Sequence, residues 1–168
     1  AVGNSNVSKC SSRVGGSGTR GIGLISALNV GGGWIVATSV NVSMYNVVID
    51  NCSADTGGGL YIDSDSSLFS ISDSTIRFCR AVMGDSLTLS GYGGGIFLYQ
   101  SNRNMQFTNC TISNNYADRV GGGLMMYYNN SYITFAGVLI GENQAIDGAG
   151  VYLDESNIGV MFIAADSV

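Results

Sequence analysis

Apolar and polar residues alternate in short runs along this chain, and the runs return at a regular interval. The clearest marker is a glycine triplet leading into an alternating segment: Gly31-Gly32-Gly33-Trp34, Gly57-Gly58-Gly59-Leu60, Gly93-Gly94-Gly95-Ile96 and Gly121-Gly122-Gly123-Leu124. A degenerate copy follows at Gly148-Ala149-Gly150-Val151, and the starts lie 26, 36, 28 and 27 residues apart. The long interval holds extra residues over 82–92, which read as an inserted loop. A second marker, Ile-x-x-(Cys or Asn)-x-Ala, keeps step: Ile49-Cys52-Ala54, Ile76-Cys79-Ala81, Ile112-Asn115-Ala117 and Ile140-Asn143-Ala145. Val7-Cys10-Ser12 is a weaker copy, with 13–30 looped out behind it. Between the two markers Val42 and Met44 correspond to Phe69 and Ile71, to Met105 and Phe107, and to Ile133 and Phe135. The same arithmetic aligns Val47, Ser74, Cys110 and Val138.

Each unit therefore carries three short segments of period two, which is the strand period. No segment sustains the period of about 3.6 residues of an amphipathic helix. Units of this length with three short strands match one coil of a parallel β-helix, stacked about 4.8 Å from the next. Four-stranded propeller blades and leucine-rich repeats do not fit the spacing. The expectation is an all-β solenoid forming a single domain over 1–168, with about six coils once partial ones at both ends are counted. Glycine, asparagine and aspartate suit the sharp corners because they tolerate positive φ. The lack of proline agrees with inner strands whose N–H groups are all used.

The turn Gly93-Gly94-Gly95-Ile96 and the segment Ile112-Ser113-Asn114-Asn115 resemble the repeat of polymorphic outer membrane proteins, a Gly-Gly-Ala-Ile turn with a Phe-x-x-Asn motif. Ile112 stands in the Phe place and Asn115 in the Asn place, and the resemblance covers about 31–153. Elsewhere Ile replaces Phe throughout, and Cys replaces Asn in the earlier coils. The resemblance implies a right-handed parallel β-helix displayed on a cell surface, serving adhesion or acting as a rigid stalk.

Composition narrows the chemistry. The 168 residues include 25 Gly, no His and 11% charged residues, with a net charge of -5. Without His there is no Ser-His-Asp triad, Cys-His pair or His-ligated metal. An acidic chain whose one lysine is Lys9 does not suit nucleic acid or an anionic membrane. No apolar run approaches the ~20 residues of a membrane-spanning helix. Absence of an initiator Met or a signal segment leads us to expect a processed product or a piece of something longer. No cofactor and no metal is expected.

Three sets of residues stand out. Cys10, Cys52 and Cys79 share one repeat position, and the coil spacing lies within disulfide reach, so Cys10–Cys52 or Cys52–Cys79 is geometrically open, but not both. The alternative is a ladder of buried thiols, with Cys110 pointing inward elsewhere. Five glycosylation sequons begin at Asn6, Asn41, Asn51, Asn109 and Asn129. Finally, if Leu60, Ile62, Ile96, Leu98, Leu124, Met126, Val151 and Leu153 face inward, then Ile35, Tyr61, Phe97, Met125 and Tyr152 face outward, with Tyr99 and Tyr127 beside them. Such a stripe is either an interface or a self-stacking ladder.

The leading expectation is a non-enzymatic, extracellular structural β-helix that builds a cell-surface filament by self-association or by contact with neighbouring β-helix segments. The alternatives are a surface adhesin binding glycans or receptors, and a β-helix of the polysaccharide lyase or hydrolase kind. For the last, the main concentration of charge is Asp63, Asp65, Asp73, Arg77 and Arg80, although Asp63-Ser64-Asp65 also suits a turn.

Overall fold

A computed structural model describes the backbone of residues 2–8, 21–23 and 34–37, and both backbone and side chains of 41–84 and 90–164. Period-two patterning becomes parallel strands that climb in coils. One face is built from Trp34–Ala37, Leu60–Ile62, Ile96–Gln100, Leu124–Tyr128 and Val151–Leu153, all paired in parallel. These five strands bound four complete turns, fewer than the six expected with partial ends counted. Partial coils flank these turns: Val2–Ser8 stacks in parallel at the start, where Gly21–Gly23 pairs antiparallel with Trp34–Ala37, and Met161–Ile163 stacks in parallel at the other end.

The second face stacks Ser43–Asp50, Ser70–Ser72, Arg103–Thr108, Ser131–Ala136 and Met161–Ile163. Ser43–Asp50 bends into the third face, where Thr75–Arg77, Thr111–Ser113 and Leu139–Gly141 follow it. Val2–Ser8 lies against it from the other side, with Val7 opposite Ile49. Short strands Ser53–Ala54, Arg80–Ala81 and Tyr116–Ala117 form a small separate sheet, a fourth strand segment per coil where three were expected. Every repeat alignment drawn among the described strands is the observed register, including Ile49–Ile76–Ile112–Ile140. Of the inserted loops, 82–92 is described except for 85–89, and 13–30 is outside the described residues except for Gly21–Gly23.

Corners recur in columns. Asn41, Leu68, Asn104, Tyr132 and Gly159 all have positive φ, as do Asn46, Asp73, Asn109 and Gly137; Asn51, Phe78, Asn114 and Glu142; and Asp65, Ser101, Asn129 and Ser156. The glycine triplet supplies the remaining corner, and its three positions do different work. Gly93 takes a φ of 65°. Gly94 faces the carbonyls of Tyr116 and Gly122 on the next coil, where a Cβ would collide with backbone. Gly95 faces the Gly123 carbonyl and the Asn115 amide, so it too has no room for a side chain.

Inside the prism lies the main core, which includes Leu60, Ile62, Phe69, Ile71, Ile96, Leu98, Phe107, Ile112, Leu124, Met126 and Phe135, each 2% exposed or less. Phe107, Phe135 and Phe162 stack at 4.7 and 4.8 Å. Burying each such ring contributes roughly 1.5–3 kcal/mol.

Candidate functional site

The aromatic stripe does point away from the prism interior; of its two readings the open interface is corrected, and its rings stack on one another along the axis. Tyr61 is 7%, Phe97 0% and Met125 1% exposed, and together they form a second apolar core. Tyr99, Tyr127 and Tyr152 are half-buried against it, joined by Tyr92 and Val120. Phe97 stacks on Tyr61 at 5.4 Å, and Tyr99 lies parallel to Tyr127 at 5.7 Å. The glycine corner explains the covering, because it folds the residues just before it, Tyr92 and Val120, onto the outer side of the strand just after it. Alternation shows which side of a strand a residue occupies, not what lies over that side. Burial, with Asp63 nearby, pushes the Tyr61 hydroxyl far above its ordinary range. Ile35 keeps its register opposite Tyr61, and its side chain is outside the described residues.

Among the cysteines, Cys52 is disulfide-bonded while Cys79 and Cys110 are buried free thiols. The Cys52–Cys79 alternative is therefore corrected; Cys10 lies outside the described residues. Burial pushes the Cys79 thiol up to about 12 and raises that of Cys110. Sequon residues Asn41, Asn51, Asn109 and Asn129 are all exposed at corners with φ of 51–60°. Asparagine there serves the turn whether or not a glycan is attached. The side chain of Asn6 is outside the described residues.

The charged concentration comes apart. Asp65 and Asp73 occupy different corners, at φ of 59° and 49°, and Asp63 accepts a 2.8 Å hydrogen bond from the Ser64 N–H in its own turn. Arg77 pairs with Asp50 at 3.3 Å, and Arg80 lies over the Tyr116 ring at 6.0 Å. Among the described residues no group of three or more Cys, Asp or Glu could hold a metal ion.

Two asparagine ladders run through buried corners. Cys79 N–H donates to Asn115 Oδ1, and Asn115 N–H to Asn143 Oδ1, both at 2.9 Å. Asn115 Nδ2 donates to the Ile76 carbonyl, and Asn143 Nδ2 to that of Ile112, so the amides also tie each corner to the strand before it. The second ladder was missed in the sequence: Ser66 N–H donates to Asn102, Asn102 N–H to Asn130, and Asn130 N–H to Asn157, at 3.0–3.1 Å. Its signal is the spacing of 28 and 27 residues, identical to that of the late glycine markers.

Among the described residues no further coil lies over the last one. Phe162 (52%) and Leu153 (45%) are exposed there although they continue columns buried in the inner coils, whereas Leu139, Ile158, Met161 and Ile163 are exposed in columns whose inner members are themselves half-buried or exposed. Among the described residues the strands Leu139–Gly141, Val151–Leu153 and Met161–Ile163 each have a partner on one side only. Phe162, Leu153 and one edge of each of these strands are thus open to a further coil or to another chain.

Comparison with protein families finds a match to the right-handed β-helix region over residues 2–140. Comparison with curated proteins and with solved structures found no match.

Proposed function

The chain belongs to the right-handed β-helix family, and on that premise we propose that it is a structural, non-enzymatic segment of an extracellular assembly, joined end to end through its C-terminal face. One observation carries this reading: two core columns run out to the last described coil, at Phe162 and Leu153, and none of the described residues covers them. Parallel β-helices serve both enzymes and non-enzymes, so the reading rests on this face and not on the fold. Ladders continuous along the axis make such a segment stiff, which suits a stalk or filament.

Ala149 adds a constraint on what covers the face. The equivalent Gly122 has a carbonyl of the next coil 2.5 Å from where its Cβ would be. A coil laid over it in the same register, whether of this chain or of another copy, has to make room for the Ala149 methyl. An oxidised Cys52 and exposed sequon asparagines favour an oxidising, extracellular setting, as does the resemblance to surface-displayed repeats.

Sedimentation of the purified chain against a Leu153→Lys/Phe162→Lys variant tests the proposal, together with negative-stain microscopy of material from the natural source. We expect concentration-dependent association in the parent, none in the variant, and filaments in the natural material. A parent that stays monomeric, beside discrete particles in the source, overturns it.

A further inference from the structure

We propose that Asn51 is a modification site: it carries an N-linked oligosaccharide whose first sugar rests on the Phe78 ring of the next coil. Asn51-Cys52-Ser53 is a sequon, and Asn51 stands exposed at its corner with a φ of 55°. Its backbone N–H donates to the Arg77 carbonyl at 3.1 Å, whereas its side-chain amide has no hydrogen-bond partner among the described residues. Sequon Asn109, by contrast, gives its amide to Asp73 Oδ1 at 3.3 Å.

Phe78 supplies the independent observation. It belongs to the corner column of Asn51, Asn114 and Glu142 and takes the same positive φ, at 53°. A bulky ring is disfavoured in that conformation, and strain of this sort clusters at functional sites. The ring is nevertheless left 48% exposed. The Arg77 guanidinium lies over it at 5.7 Å and is itself held by Asp50 at 3.3 Å, so the ring is steadied without being covered. Asp50 and Arg77 are opposite each other in register, which sets Asn51 opposite Phe78, about 4.8 Å away along the axis. A sugar joined to the Asn51 amide reaches the ring from there, with its apolar face on the aromatic surface and its hydroxyls in water. Leu68 repeats the arrangement, exposed at a φ of 53° one coil after sequon Asn41. Of the bulky apolar residues at such corners among the described residues, Tyr132 alone follows an asparagine that begins no sequon, Asn104.

The donor is a lipid-linked oligosaccharide diphosphate. Asn51 Nδ2 forms a bond to C1 of the first N-acetylglucosamine and the C1–O bond to the diphosphate breaks. The lipid diphosphate leaves with that electron pair, and the amide releases one proton to solvent. The site rests on the extracellular setting proposed above, since a secreted chain is the one that meets this donor.

Digestion of natural-source material with peptide-N-glycosidase in heavy-oxygen water tests occupancy, and we expect Asn51 to be recovered as labelled Asp. An unlabelled Asn51 overturns the proposal, and leaves the end-to-end reading standing if the chain still associates; a labelled Asn51 in a monomeric chain does the reverse. The seat is tested by combining Asn51→Gln with Phe78→Asn in the full chain, made in a glycosylating and in an oxidising, non-glycosylating host. Phe78→Asn installs the residue used at Asn51 and Asn114, so the unglycosylated variant should melt no lower than the parent. With glycans present, Asn51→Gln should lower the thermal midpoint by about 2–4 °C more beside Phe78 than beside its Asn replacement. Without glycans the two losses should agree. Equal losses with glycans present overturn the assignment of Phe78 as the seat.

Discussion

The inner coils and the terminal coil carry nearly the same residues in the same register, yet identical positions do different work in the two. Phe107 and Phe135 are 1% exposed and Phe162 is 52% exposed, though all three belong to one stack. Leu98 and Met126 are fully buried, while Leu153, next in line, is 45% exposed. Gly122 is pressed against the coil above, and Ala149, its counterpart, is exposed. Each coil stabilises its neighbours more than itself, as expected of a one-dimensional array. Position within the stack, more than residue type, sets the energetic role.

That contrast can be broken or sharpened at matched positions. The largest effect is expected in the phenylalanine stack: Phe107→Ala should destabilise by about 3–5 kcal/mol, and Phe162→Ala by about 1 kcal/mol or less, measured by urea unfolding of the dilute monomer. Equal losses would show that the terminal face is already covered in solution. At the glycine corner, Gly122→Ala should cost about 3 kcal/mol by overpacking against backbone, while Ala149→Gly stays within about 1 kcal/mol of the parent. The asparagine ladder comes next. Asn115→Ala, which strips a buried rung of its partners, should cost about 2–3 kcal/mol, and the half-buried Asn143→Ala about 1 kcal/mol.

Near neutrality the smallest effect lies in pH. The Cys79 thiol is raised to about 12 in the folded chain, above its unfolded value near 8.5. Folding therefore holds that proton more tightly than unfolding does. The contribution is fully present below about pH 8.5 and is lost as pH rises toward 12. Stability should be flat around neutrality and decline in alkali, and Cys79→Ala should flatten that decline. Iodoacetamide should leave Cys79 unmodified at neutral pH until the chain unfolds; rapid labelling of the native protein would refute its burial.

Much of this architecture was legible in the residues themselves. Period-two alternation and the recurring markers determined strand type and repeat register, down to pairs such as Phe97 opposite Tyr61. Side-chain alternation and corner geometry are local properties, and local properties leave a local trace. The seat beside sequon Asn51 was not legible. Register sets Phe78 opposite Asn51, yet only the folded corner shows that the ring stands exposed there. Strain at Leu68 and Tyr132 was hidden as well, since neither residue type announces a positive φ.

By itself the sequence determined an all-β solenoid, its coil register, the glycine and asparagine corners, and an outward aromatic column. Only the tertiary structure decided that the column is a second core and that Cys52 is oxidised while Cys79 is not. The division has a physical cause. Register follows from interactions between a residue and its near neighbours in the chain, whereas burial depends on which distant segment comes to rest on top, and a repeat specifies that for every coil except those at its ends.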